Sequence, residues 1–288
     1  MKLSIVTINY NNAEGLRKTL ASVAEQTYRD IEHIVIDGGS TDGSVDIIKD
    51  YVNQCLMYDV LWVSEKDSGI YNAMNKGIRK ATGDYIQILN SGDILAGPDV
   101  TAKMIVALND EMSRDKSLND GVPILYGNIM KDYGNGKLVR DMSGNGLYNP
   151  SSFLYFYFGT LNHDSAYIRR DLFDKYGLYN EKMKICSDWE WYVRALVLGN
   201  VRAVYTNIDV TIFEMNGVSE SVGKNVELIK KERREYLEKI LPPAVLRDYD
   251  MYAFPIDQYM RLKKHHLWGL VWFTERVVRR LEKWGILR

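Results

Sequence analysis

Twice in the first hundred residues an apolar run ends in polar and acidic residues: Ile34-Val35-Ile36-Asp37-Gly38-Gly39-Ser40-Thr41-Asp42 and Tyr85-Ile86-Gln87-Ile88-Leu89-Asn90-Ser91-Gly92-Asp93. Runs of four to eight apolar residues closed by turn residues read as strands buried on both faces, the pattern of a parallel sheet. Two such strands in one sheet aim their carboxylates at one crevice. In an open α/β sheet, ligands bind at the carboxyl ends of the strands, where acidic groups suit a nucleotide's polar edges or a cation carrying its phosphates.

The surrounding pattern agrees. Leu3 to Ile8 is a strand, and Ala13 to Glu25 carries Leu16, Leu20 and Val23 at helical spacing. Ile31 to Asp37 is a second strand, followed by a helix bearing Val45, Ile48 and Val52. Val60 to Val63, Ile70 to Ala81 and Tyr85 to Leu89 continue the alternation as strand, helix and strand. Strands alternating with helices predict right-handed crossovers and a mainly parallel, Rossmann-like sheet flanked by helices. Further on, Val100 to Asn109, Asp171 to Tyr176 and Asp188 to Leu198 read as helices, and Ile124 to Asn128 as a strand. Lys131 to Asn149 reads as a Gly- and Asn-rich loop, and the chain from Asn225 as helix interrupted at Pro242-Pro243 and Pro255.

Charge narrows the partners. The formal net charge of -1 excludes a generally basic nucleic-acid binder. Residues 261–288 nevertheless hold eight Lys and Arg against Glu275 and Glu282, a net +6 that leaves the rest near -7. That segment also carries Leu267, Trp268, Leu270, Val271, Trp272, Phe273 and Trp284. Aromatics mixed with cations suit a helix in a membrane interface; packing on the rest of the protein, or a homodimer contact, is the alternative. The apolar run Leu267 to Phe273 is seven residues, too short for a span of roughly 20. Two cysteines, Cys55 and Cys186, and a start that turns polar at Asn9 fit a reducing, cytoplasmic setting.

Several motifs in order now acquire meaning. Thr7-Ile8-Asn9-Tyr10-Asn11, Leu20 to Tyr28, Asp37 to Gly43, Asp67-Ser68-Gly69-Ile70-Tyr71-Asn72-Ala73-Met74-Asn75-Lys76-Gly77, Thr82 to Tyr85 and Asn90 to Asp93 together resemble glycosyltransferase family 2. The resemblance covers about residues 1–220 and is closest to bacterial surface-polysaccharide enzymes. It implies a GT-A fold at 1–222, with a nucleotide-sugar half (1–98) and an acceptor half (99–222), and a helical C-terminal extension at 223–288. It implies an inverting transfer of a sugar from a nucleoside diphosphate donor, UDP-linked, to a hydroxyl of a glycan or lipid-linked glycan.

Residue roles follow from the same resemblance. Tyr10 matches the aromatic that lies against the base and Asp37 the acceptor for base or ribose; Thr7, Asn9, Asp67, Asn72, Asn75, Ser91 and Gly92 complete the donor site. An aromatic face stacks on a base for roughly 1–3 kcal/mol, so Tyr10 suits the task physically. Asp93 matches the last carboxylate of the family's Asp-x-Asp signature, the ligand of Mg²⁺ or Mn²⁺. Ser91 stands where the first acid is expected, and Met74 where an arginine is common. Asp188 matches the general base, with Glu190 as substitute if the register slips; as a helix start it also reads as an N-cap. His163, Trp189 and Glu190 are candidate acceptor or phosphate contacts, with plain packing as the competing reading. Gly217 to Ser221 is similar to a mobile donor-covering loop.

Two other classes remain in view: a non-catalytic nucleotide- or glycan-binding protein on this fold, and a dinucleotide-dependent oxidoreductase. The second is disfavoured because Asn9-Tyr10-Asn11-Asn12 lacks the Gly-x-Gly-x-x-Gly turn.

Overall fold

The structure is a computed structural model that describes residues 1–288 apart from 56, 119–120, 135–136, 142–149, 215–220 and 285–288. Most of the Gly217 to Ser221 loop and the end of the Lys131 to Asn149 segment lie outside the described residues.

The N-terminal half follows the sequence pattern closely. Strand β1 (Leu3–Asn9), helix α1 (Ala13–Ala24), β2 (Ile31–Asp37), α2 (Ser44–Gln54), β3 (Asp59–Ser64), α3 (Ile70–Lys80) and β4 (Tyr85–Asn90) alternate in order. β1 pairs in parallel with both β2 and β4, and β3 adds to β2. Residues 3–9 and 31–37 are buried at every position, as strands covered on both faces must be. Leu16, Leu20, Val35 and Ile48 form the cluster beneath α1 and α2. α3 covers the opposite face, where Gly77 permits a close approach: a Cβ there would lie 2.2 Å from Val6 Cγ1.

Beyond β4 come β5 (Ile94–Leu95), α4 (Val100–Arg114), β6 (Ile124–Asp132), β7 (Leu138–Asp141) and α5 (Phe153–Phe158). They are followed by β8 (Ala166–Arg169), α6 (Asp171–Tyr176), α7 (Ser187–Tyr192) and β9 (Ala203–Glu214). The strand order is β3-β2-β1-β4-β8-β6-β9-β5, with β7 on β6. The sheet is parallel through β3-β2-β1-β4 and again at β6-β9, while β8 runs antiparallel to both β4 and β6. β8 thereby joins the two halves. The segment expected as loop contains β7, whose Leu138–Asp141 pairs antiparallel with Ile129–Asp132; here Val139 and Arg140 meet partners that a Gly-rich composition conceals.

Helices α8 (Ser221–Ile240), α9 (Pro243–Lys264) and α10 (Trp268–Lys283) end the chain. Pro255 does not interrupt α9 but sits inside it, at the cost of the hydrogen bond to residue 251. The described chain separates into two compact units, one formed by Met1–Gly144 and Pro150–Arg233, the other by the chain from Arg234 onward. The division expected at 222/223 falls in the first turn of α8. Among the described residues no helix is long and apolar enough to cross a membrane.

Candidate active site

At the carboxyl ends of β1, β2 and β4 lies a cleft of about 740 Å³, lined in part by Asn9, Tyr10, Gly38, Lys66, Asp67 and Ser91. Gly69, Ile70 and Ala73 at the start of α3 form another wall. Tyr10 is 66% exposed, free to receive a planar ligand. Gly38 has no room for a side chain: a Cβ would lie 2.5 Å from Asp67 Oδ2 and 3.2 Å from Tyr10 Cδ2. These residues lie where the sequence pattern put a donor site.

Asp37 lies beneath this cleft and is fully buried. Asn9 Nδ2 (2.8 Å) and Ser40 Oγ (2.5 Å) donate to its Oδ1, and Gly39 N, Ser40 N and Ser64 Oγ to its Oδ2. Burial works against the charge, yet these donors hold the carboxyl below its ordinary value. Asn9 in turn keeps one buried acceptor, Oδ1, without a protein partner.

Other expected donor residues face elsewhere. Thr7 is buried and bonds His33 Nε2 at 2.9 Å. Asn75 is buried, its amide bonded to Tyr179 and Glu181, and Asn72 also reaches Glu181, at 2.8 Å. Both asparagines tie α3 to the chain at 179–181. Gly92 takes φ +109°, which lets its N–H reach Thr19 Oγ1 at 2.9 Å.

Asp93 follows that turn and is 5% exposed. Its Oδ2 is buried without a protein partner, as is Oδ1 of Asp164. Burial raises both carboxyls, and the Asp164 charge adds to the rise at Asp93. Unpartnered carboxylate oxygens are hard donors of the kind Mg²⁺ or Mn²⁺ takes, so Asp93 fits the ligand role. Among the described residues no group of three or more His, Cys, Asp or Glu could hold a metal. Diphosphate oxygens and water would have to complete the shell.

Asp188, the second residue of α7, makes no cap; the cap position is Cys186. Its Oδ1 accepts from the Tyr71 hydroxyl at 3.0 Å and its Oδ2 faces His163 Nδ1 at 3.4 Å. Although burial opposes both charges, the pair stabilise each other: His163 is raised to about 9 and Asp188 held below its ordinary value. Asn90 Nδ2 lies 3.2 Å from the other ring nitrogen of His163. Between two positioning groups sits an ionised carboxylate, the state a general base needs. Tyr71 belongs to the same helix whose first turn walls the cleft.

Trp189, by contrast, is 1% exposed and donates Nε1–H to Phe156 O at 2.8 Å; it is a core residue, not a platform for a sugar. Trp191 and Tyr192 are buried with it. Glu190 pairs with Arg194 at 3.1 Å. Sequence reasoning also passed over Glu232 of α8, whose carboxylate accepts from the backbone N–H of Lys184 (2.6 Å), Ile185 (3.1 Å) and Cys186 (3.0 Å). That side chain gathers three successive N–H groups of the approach to the Asp188 helix, and the Tyr71 hydroxyl bonds Ile185 O of the same stretch. Tyr71 was visible within its motif, but nothing local marked it or Glu232 as a partner of α7.

The family model described as "Glycosyl transferase family 2" matches residues 4–115. The chain is 34% identical over 260 residues to an uncharacterized glycosyltransferase of Mycobacterium tuberculosis, Rv1514c, covering 88% of this chain and 92% of the relative. Among solved structures, S. aureus TarS 1-349 in complex with UDP-GlcNAc aligns with TM-score 0.58 at 21% identity, over 74% of this chain and 58% of that one. A mannosyltransferase from Pyrobaculum calidifontis in complex with GDP-Man and Mn²⁺ aligns with TM-score 0.60 at 15% identity, over 96% and 80%. These likenesses establish a shared fold.

Proposed function

Starting from the premise that the chain belongs to glycosyltransferase family 2 and is a glycosyltransferase, we propose that it inverts configuration while moving a sugar from a UDP-linked donor to a hydroxyl of a glycan or lipid-linked glycan. The observation that carries this reading is the position of Asp188: it is hydrogen-bonded to Tyr71, on the helix whose first turn walls the nucleotide cleft.

The nucleobase stacks on Tyr10 over the Gly38 floor, where the unpartnered Oδ1 of Asn9 is the acceptor at hand for a base N–H. Asp37 orders this floor, and a ligand reaches its oxygens only by displacing the Ser40 or Ser64 hydroxyl. Lys66 lines the cleft, and its ammonium is a cation available to meet the diphosphate. Asp93 is the carboxylate that would hold Mg²⁺ or Mn²⁺, and the metal, when bound, would neutralise charge on the departing diphosphate. The UDP-GlcNAc of the TarS complex and the Mn²⁺ of the archaeal one support these choices by analogy of fold.

Asp188 takes the proton of the acceptor hydroxyl as its oxygen attacks the anomeric carbon from the face opposite the diphosphate. The bond from that carbon to the diphosphate oxygen breaks, and the nucleoside diphosphate leaves with the electron pair. Tyr71 and His163 hold the carboxylate ionised and aimed until it takes that proton.

Thermal shifts with UDP, GDP, CDP and dTDP, each with and without Mn²⁺, test the donor site. A ligand at about 100 times its dissociation constant adds roughly 2.7 kcal/mol of stability. A metal-dependent shift with UDP that Asp93→Asn abolishes is the expected result. Asp188→Asn should lose transfer while keeping that shift. No shift with any diphosphate, or unchanged transfer by Asp188→Asn, overturns the reading.

A further inference from the structure

Helix α10 is amphipathic, and its apolar face is bare. Leu270, Phe273, Val277, Leu281 and Trp284 recur at spacings of three and four, so they form one stripe along the helix. Leu270, Phe273 and Trp284 are 56%, 66% and 67% exposed. At 3.6 residues per turn, Arg276, Arg279, Arg280 and Lys283 fall within about 100° of arc along one flank of the stripe, with Arg280 next to Phe273. Arg276 stacks over Trp272 at 5.3 Å, and Arg279 pairs with Glu275. A stripe left in water forfeits roughly 25 cal/mol for each Å² that burial would remove.

We propose that α10 lies flat in the surface of an anionic lipid bilayer, its stripe among the acyl chains and its cations at the lipid phosphates. Charge complementarity selects this occupant: the helix lies in the segment of net +6, in a chain otherwise near -7. A stripe of Leu, Phe and Trp flanked by Lys and Arg, whose heads can reach lipid phosphates from the stripe's edge, is an arrangement that binds an interface. Its 16 residues extend about 24 Å, short of the roughly 30 Å of a bilayer core, so the helix lies on the membrane and does not cross it. A second copy of the chain fits less well. The stripe covers about two heptads where a coiled coil needs three or four, and self-pairing would bring two sets of cations together.

Vesicle flotation of the full chain tests this without reference to turnover or donor. Two lipid compositions are compared, phosphatidylcholine alone and phosphatidylcholine with about one phosphatidylglycerol in three. Flotation with the anionic vesicles only, lost near 0.5 M salt as the charges are screened, is the expected result. Arg276→Glu with Arg280→Glu should lower partitioning by about tenfold or more, and Phe273→Glu should abolish it, with circular dichroism and the nucleotide-induced thermal shift unchanged. Absence of flotation, or binding equal on both vesicles and indifferent to charge reversal, overturns the proposal. So does a dimer in analytical ultracentrifugation that Phe273→Ser converts to monomer, because the stripe would then be an interface between copies.

Discussion

Replacing Glu232 should disable the base from a distance. Its carboxylate accepts from three successive backbone N–H groups, at Lys184, Ile185 and Cys186, and Asp188 begins two residues later. Hydrogen bonds to a charged group contribute roughly 1.5–3 kcal/mol each, neutral ones about 0.5–1.5. Lys184 is exposed and its N–H recovers a water partner, whereas Ile185 is partly buried and Cys186 is buried. In Glu232→Gln the amide oxygen can still serve Ile185 and Cys186, but without charge, for a loss of about 2 kcal/mol. Glu232→Ala strands both donors and should cost about 4 kcal/mol. At roughly 2–4 °C per kcal/mol for a domain of this size, melting falls by about 6 °C for Gln and twice that for Ala.

Catalysis should suffer separately from stability. A displacement of about 1 Å in a reacting group can cost about a hundredfold, so kcat should fall by that order in Glu232→Ala. Affinity for UDP, measured by calorimetry at a temperature where the variant is folded, should stay within about twofold, because the nucleotide cleft touches none of residues 184–186. An alanine variant that melts within about 1 °C of the parent, or that loses nucleotide affinity as steeply as kcat, would refute the reasoning.

Gly38→Ala should weaken nucleotide binding by about tenfold or more without unfolding the chain, since the new methyl displaces the mobile ends of Asp67 and Tyr10; titration calorimetry with UDP checks it. His163→Gln removes the cation that holds Asp188 ionised, so kcat should drop with UDP affinity unchanged, and the pH at which kcat reaches half its maximum on the acid side should rise. Glu32 is depressed to about 2: burial opposes its charge, but Lys2, Ser4 and Thr82 hydrogen-bond the ionised form. Because the folded value lies below the unfolded one, its contribution is complete above about pH 4.5 and is lost as pH falls towards 2. Glu32→Gln should therefore flatten that limb of the stability curve in urea melts recorded from neutral to acid pH.

Legibility in the sequence followed the range of the interactions. β1 and β2 could be read to within a residue, because burial on both faces makes them continuous apolar runs, and the chain leaving β1, β2 and β4 places Tyr10, Gly38 and Ser91 at the cleft. Alternation decides which of those residues look inward only once the packing is known. Thr7 is turned to His33, a histidine kept neutral by burial, which in turn meets the Tyr51 hydroxyl at 2.8 Å. β8 is four residues long and β9 alternates Tyr205, Asn207 and Asp209 with Val204, Ile208 and Val210, so neither stands out as an apolar run. Trp189 and Trp191 were ambiguous for another reason: an indole suits a sugar face as well as a core, and only the carbonyls of Phe156 and Gly177 that receive their N–H groups decide for the core. Asp188, the base proposed above, was singled out by motif, but its hydrogen-bond partners come from 117 and 25 residues away, where no local pattern can point.

The antiparallel insertion of β8 between β4 and β6 bears on the order in which the chain gains its abilities. The parallel pairings of β1 to β4 lie within the first ninety or so residues, while Val100, Leu108, Leu125 and Tyr167 pack on that sheet from further along the chain. The Tyr71 contact with Asp188 closes a separation of 117 residues, and the Glu232 carboxylate enters later still. An emerging chain therefore carries the residues that line its cleft, all within 8–91, well before Asp188 and Glu232 are added.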